Sequence, residues 1–123
     1  MLPLVFMAAL LAQAPTVPAK PFEIVHGRLF VTNGTPSIRI WRIGTKQILG
    51  VHPDESPEAL PDSIRKWVRF GVNVYANFTV EPVAPVQPGQ MQLVRLLSAS
   101  QIVIEQTDLP DGPKTFKLRS HAP

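Results

Sequence analysis

The chain has 123 residues, 14 prolines, no cysteine and a formal net charge of +3. The lack of cysteine excludes disulfides, thiolate nucleophiles, zinc–cysteine sites and iron–sulfur clusters, and the many prolines argue against a helical bundle. The mild basic excess permits an anionic partner, but it falls short of the dense basic patch that is typical of strong nucleic-acid binders.

Residues 1–14 are almost wholly apolar, carry no charge and end in Ala12-Gln13-Ala14. The small-x-small ending is typical of a secretory signal peptide, although no Lys or Arg precedes Lys20. The apolar run is too short to span a membrane, which needs about 20 apolar residues. We therefore expect a cleaved signal peptide, 1–14, and a secreted or periplasmic mature chain without a transmembrane span. The alternative is an uncleaved apolar N-terminus that packs on the domain.

A proline-rich linker, 15–21, precedes three short predicted strands, 22–32, 37–43 and 47–51. Asn33-Gly34 supplies the turn of the first hairpin, because both residues tolerate positive φ. Gly27 and Gly50 lie inside strands and suggest bulges or tight bends. After a proline-rich loop, a short helix is predicted from Asp62 or Ser63 to Gly71, with Ile64, Trp67 and Val68 on one face.

Residues 72–80 form the clearest predicted strand, because apolar and polar side chains alternate along it. Two further strands are predicted at 91–97 and 101–105, with a break at 98–100. A hairpin centred on Pro88 places Val80 opposite Leu96 on the inner face and Glu81 opposite Arg95 on the outer face. Residues 107–123 are polar and broken by Pro and Gly, which indicates a tail, in which 115–118 could add an edge strand.

This order of elements predicts one all-β domain over 22–106. The best match is a small five- to six-stranded OB-like barrel with one short helix between the third and fourth strands. The alternative is an immunoglobulin-like β-sandwich, which usually needs about seven strands.

Several segments of this domain resemble small exported bacterial proteins of unknown function that have an OB-like barrel. The resemblance covers most of the domain and runs through His26–Leu29, Asn33–Trp41, Gly44–Val51, Val74–Val80 and Pro88–Gln92. It implies an exported β domain and brings no activity with it. It also implies that Glu81 and Arg95 stand where cysteines are often found in that family.

An aromatic and basic face is the strongest candidate for a binding site. Arg39 and Trp41 share one face of the second strand, and His26, Arg28 and Phe30 share the matching face of the first. On OB-folds such faces bind oligonucleotides or oligosaccharides, with rings that stack and arginines that hold phosphate or carboxylate. We predict Arg28, Phe30, Arg39 and Trp41 as ligand-binding residues. The alternative is that the two rings pack beneath the protein's own linker or tail.

No motif for catalysis is visible, since the chain lacks a Gly-x-Ser-x-Gly sequence, a placed triad and a phosphate-binding glycine loop. His52, Asp54 and Glu55, together with His26, offer metal donors, but one loop rarely closes a metal site and no recognised ligand spacing is present. We predict no catalytic residue, no metal and no cofactor.

The sequence thus favours a non-catalytic binding or structural module of the cell envelope. Its partner would be an envelope protein or an anionic glycan. One alternative is an exported OB-type module that binds nucleic acid or another anionic polymer through the same face. Another is a small hydrolase that uses His26 or His52.

Overall fold

The structure is a computed structural model that describes residues 22–52, 57–83, 85 and 87–119. The predicted signal peptide, 1–14, and linker, 15–21, lie outside the described residues. Within them the chain forms six strands and two short 3₁₀ helices, Pro57–Ala59 and Arg65–Trp67. The strands are β1 (Glu23–Val31), β2 (Ile38–Arg42), β3 (Ile48–Val51), β4 (Val72–Pro82), β5 (Gln92–Gln106) and β6 (Lys114–Lys117).

Five of the strands close into a ring. β1 pairs antiparallel with β2 and with β4, β2 pairs with β3, and β4 pairs with β5. A parallel pairing of β3 with β5 completes the ring, and β6 adds to the edge of β5. This is the predicted OB-like barrel, with a helical segment between the third and fourth strands. The alternative, an immunoglobulin-like sandwich, needs two packed sheets, whereas all six strands belong to one.

Alternation along β4 explains how the barrel fills its interior. Val72, Val74, Ala76, Phe78 and Val80 are all buried, and the residues between them are partly exposed. Phe78 is the largest fully buried side chain, and no polar or charged residue in the described ranges is buried. Fully burying an apolar side chain of this size contributes about 1.5–3 kcal/mol, so packing alone can stabilise this cysteine-free barrel.

Gly27 marks a close approach inside the barrel rather than a bulge, because β1 and β2 keep a regular register around it. A Cβ atom at this position would lie 2.6 Å from Ile40 Cγ2 and 2.8 Å from the carbonyl oxygen of Trp41. Both distances are shorter than van der Waals contact, and the second involves backbone. A side chain at this position would therefore force the neighbouring strand β2 to shift.

The helical segment between β3 and β4 is less regular than predicted. Its 3₁₀ helix begins at Arg65, and neither Asp62 nor Ser63 caps it through a side-chain hydrogen bond. Asp62 instead forms an ion pair with Arg65 at 2.7 Å. Ile64 is fully buried in the core, and Trp67 and Val68 are partly buried and pack against it, so the three residues of the predicted apolar face anchor the turn to the barrel. Gly71, at φ +84°, adopts a left-handed conformation at the start of β4.

The predicted hairpin register is confirmed, since Val80 pairs with Leu96 and Glu81 with Arg95. The predicted break at 98–100 is wrong, because β5 is one continuous strand. Its pairing with β4 absorbs the extra residues at two register irregularities, Tyr75/Asn77 and Thr79/Val80. Beyond β5, an edge strand does lie in the region predicted as a tail, where Lys114–Lys117 pairs with Val103–Gln106.

Candidate functional site

The register of β1 and β2 brings the four predicted ligand-binding residues together. Arg28 lies opposite Trp41, and Phe30 lies opposite Arg39. The guanidinium carbon of Arg28 is 5.3 Å from the centre of the Phe30 ring and 5.2 Å from the centre of the Trp41 ring. The four residues, all partly exposed, therefore form one cluster on the outside of the barrel, which we call the Arg28 face.

Arg28 is held by aromatic rings and not by an acid. Neither Arg28 nor Arg39 forms an ion pair with any residue that the structure describes. The Nε atom of Arg28 is buried and has no hydrogen-bond partner there. Cation–π contacts contribute about 0.5–1 kcal/mol at exposed sites, whereas a buried unpaired donor costs about 1–3 kcal/mol. The guanidinium is thus well positioned but incompletely satisfied.

Two loops fix the orientation of the β2 side chains. Arg39 donates from Nε to the carbonyl oxygen of Pro36 at 3.0 Å, and Trp41 donates from Nε1 to the carbonyl oxygen of Thr45 at 2.7 Å. Gly34 lies close against the Arg39 guanidinium, since a Cβ atom there would be 2.5 Å from Nη2. These contacts hold the Arg39 and Trp41 side chains in one orientation, so that their exposed atoms are already positioned for a ligand.

The Arg28 face continues onto β4 through residues that the sequence did not single out. Tyr75 lies opposite Arg28, and Asn77 lies opposite His26. His26 Nδ1 is 3.0 Å from Asn77 Oδ1, and the Tyr75 hydroxyl donates to Glu105 Oε1 at 3.3 Å. The alternation along β4 places Tyr75 and Asn77 on the outer face. Only the β1–β4 register shows that they adjoin Arg28.

The C-terminal strand packs away from the two rings of the Arg28 face. β6 pairs with β5, and its Phe116 ring lies edge-on to Trp67 with the centroids 5.4 Å apart. Phe30 and Trp41 are partly exposed, and the guanidinium of Arg28 lies over both rings. β6 does not cover them, because it lies beside β5 on the far side of β4. The predicted linker, which could also cover them, lies outside the described residues.

The two histidines weighed for a metal or hydrolase site, His26 and His52, have no other potential metal ligand or acid grouped with them in the described ranges. His26 contacts Asn77, and His52 is exposed at the end of β3, where its backbone amide donates to the carbonyl oxygen of Val94. Asp54 and Glu55 lie outside the described ranges. Across those ranges, no group of three or more His, Asp or Glu side chains is close enough to hold a metal ion. No helix there is long and apolar enough to cross a membrane.

Comparison with protein families, with curated proteins and with solved structures found no match for this chain. The fold and the Arg28 face define the molecule as an OB-like barrel with a basic, aromatic outer surface on β1 and β2. Function is therefore inferred from the chemistry of that surface.

Proposed function

We propose that the protein is a non-catalytic binding module of the cell envelope and that the Arg28 face binds the carboxylate groups of an anionic glycan. The observation that carries the proposal is the state of Arg28. Its guanidinium lies over two rings and has no acidic partner among the described residues. The signal-like segment 1–14 supports export.

A glycan that carries carboxylates suits both the guanidinium groups and the aromatic rings of the Arg28 face. A guanidinium group binds a carboxylate through two parallel hydrogen bonds, and such charge-assisted bonds are stronger than neutral ones. The partly exposed Phe30 and Trp41 rings flank the Arg28 guanidinium and add apolar surface beside it that the carbon skeleton of a sugar can contact. The acid nearest along β1, Glu23, already forms an ion pair with Arg42 at 3.0 Å. Arg28 and Arg39 therefore present uncompensated positive charge to a ligand.

The test is calorimetric titration with an oligogalacturonate, compared with the neutral methyl-esterified form of the same oligosaccharide. Arg39→Gln removes one charge from the face, and Lys114→Gln removes one charge from the exposed strand β6. We expect Arg39→Gln to weaken oligogalacturonate binding by about tenfold, because a hydrogen bond to a charged group contributes about 1.5–3 kcal/mol. Lys114→Gln should leave the affinity unchanged.

Three results would contradict the proposal. Equal losses in the two variants would mean that only net charge matters. Equal binding of the neutral oligosaccharide would mean that carboxylates are not recognised. Tighter binding of oligothymidylate, with the steep salt dependence of phosphate contacts, would favour the nucleic-acid alternative instead.

A further inference from the structure

A concave surface, separate from the Arg28 face, lies between the turn at 62–67, β5 and the end of β6. This groove has a volume of about 840 Å³, within the range of about 300–1,000 Å³ that is typical of ligand sites. Residues 99–102 of β5 line it together with Lys66 and Trp67 from the turn and 117–119 from the end of β6. In the sheet, β4 separates this part of β5 from the Arg28 face. We call this surface the β5 groove.

The β5 groove is basic. Lys66, Lys117 and Arg119 line it, and none of them forms an ion pair with a residue in the described ranges. The one acidic residue among its described lining, Asp62, is bound by Arg65 at 2.7 Å. Three uncompensated positive charges therefore surround the groove, and they favour an anionic occupant.

The β5 groove also contains an open strand edge. On the side away from β4, β5 pairs with β3 through Gln92–Val94 and with β6 through Val103–Gln106. Between these two stretches the carbonyl oxygen of Ile102 accepts from the Leu118 amide at 2.9 Å, and 95–101 has no strand partner on that edge in the described chain. On the β4 side, 98–100 pairs regularly with 77–79 between the two irregularities. An unpaired, regular edge is the template to which an extended peptide adds.

Trp67 gives the groove an apolar wall beside this edge. Its ring is flanked by Lys66, whose Nζ lies 5.0 Å from the ring centre, and by the edge of Phe116 at 5.4 Å. Toward β6 the open stretch stops at Gln101, whose φ of +54° marks a bulge. Positive charge, a strand edge and an apolar wall thus meet over a few residues.

We propose that the β5 groove binds an extended acidic peptide segment of a partner protein, which adds as a strand to 98–100 of β5. Its carboxylates pair with Lys66, Lys117 and Arg119, and its apolar side chains pack against Trp67. A strand edge favours a peptide over a glycan or a nucleic acid, because only a peptide backbone continues the ladder of hydrogen bonds. This inference is separate from the proposed glycan-binding function and does not depend on it.

The test uses a blocked peptide of alternating Glu and Val as the probe. Its control is the same peptide with every second backbone nitrogen methylated, which removes donors without changing a side chain. Hydrogen exchange of the full chain reports the amides of 98–100. We expect the unmodified peptide to bind and to slow exchange at the amides of this stretch that point away from β4, and the methylated peptide to do neither.

Charge reversal on one strand then locates the site. Lys117→Glu should weaken peptide binding by about tenfold, because an attractive pair becomes a repulsive one. Lys114→Glu carries the same change on the same strand, outside the groove, and should leave the affinity unchanged. Lys66→Glu repeats the test on a different element, and circular dichroism checks that each variant is folded.

The proposal is overturned if the Glu–Val peptide does not bind, if the methylated peptide binds equally well, or if Lys114→Glu and Lys117→Glu weaken binding to the same extent. Arg39→Gln separates the two proposed sites. It should weaken oligogalacturonate binding and leave peptide binding unchanged, so that each proposal can fail without the other.

Discussion

Replacing Arg28 by methionine separates a ligand-binding role from a structural one. Methionine is unbranched and flexible, and its sulfur makes favourable contacts with aromatic rings. Arg28→Met therefore keeps an apolar side chain between Phe30 and Trp41 while it removes the guanidinium. We expect the free energy of unfolding to stay within about 1 kcal/mol of the wild-type value.

The expected magnitude follows from two opposing terms. The substitution removes two cation–π contacts, with guanidinium-to-ring distances of 5.3 and 5.2 Å, which together contribute about 1–2 kcal/mol. It also removes the buried, unpaired Nε, which costs the folded state about 1–3 kcal/mol. The two terms nearly cancel in the free protein. Oligogalacturonate binding, in contrast, loses the hydrogen bonds from the guanidinium to the carboxylates with no opposing gain. The affinity should therefore fall at least about tenfold.

Urea unfolding followed by circular dichroism measures the stability, and calorimetry on the same samples measures the affinity. An unchanged m-value would show that unfolding exposes the same amount of surface in the variant as in the wild type. Arg95→Met is the control, because it removes an outward arginine on β5 that has an acidic partner, Glu81, at 3.1 Å. It should leave oligogalacturonate binding unchanged. A loss of stability above about 3 kcal/mol in Arg28→Met would refute the reasoning, since it would show that Arg28 supports the fold.

Three further predictions concern the barrel itself. Gly27→Ala should lower the free energy of unfolding by about 1–3 kcal/mol, because its Cβ would overlap backbone. Gly34→Ala meets only the far end of the Arg39 side chain, which can rotate away, and should cost less. Equal urea midpoints for the two variants would contradict this. Phe78→Ala should cost about 3–5 kcal/mol in urea unfolding, because the side chain is fully buried; a cost under about 1 kcal/mol would contradict that burial. Gly71→Ala and Gly44→Ala both place alanine at positive φ, which costs about 1–2 kcal/mol. Only the Gly71 variant also collides with a neighbouring residue, Asp108. The melting temperature of Gly71→Ala should therefore be the lower of the two.

The alternation of apolar and polar residues predicted the sheet where one face of a strand is buried. Along β4 this period was unbroken, and it set the register in which Val80 meets Leu96 and Glu81 meets Arg95. The cluster of Arg28 with Trp41 could also be predicted, because one hairpin brings their strands together, although its connection is a loop over 32–37 in which neither Asn33 nor Gly34 adopts the positive φ expected of them. Local pattern was sufficient in both cases, since the contacts join strands that are neighbours along the chain.

Other features depend on contacts that no local pattern shows. The small residues Ser98-Ala99-Ser100 indicated a break, but β5 continues because their partners on β4 hold them in the sheet. Tyr75 adjoins Arg28 through the β1–β4 pairing, which joins strands far apart in sequence. The β5 groove forms where the 62–67 turn and the end of β6 meet, and neither segment carries a motif that predicts the other.

The most direct test of a ligand on the Arg28 face uses the two tryptophans as separate reporters. Trp41 belongs to this face, and Trp67 lines the β5 groove. In a ¹⁵N-labelled sample of the full chain, each indole N–H gives its own signal. Addition of oligogalacturonate should shift the Trp41 signal and leave the Trp67 signal in place. A shift at Trp67 alone, or no shift at either indole, would contradict the account.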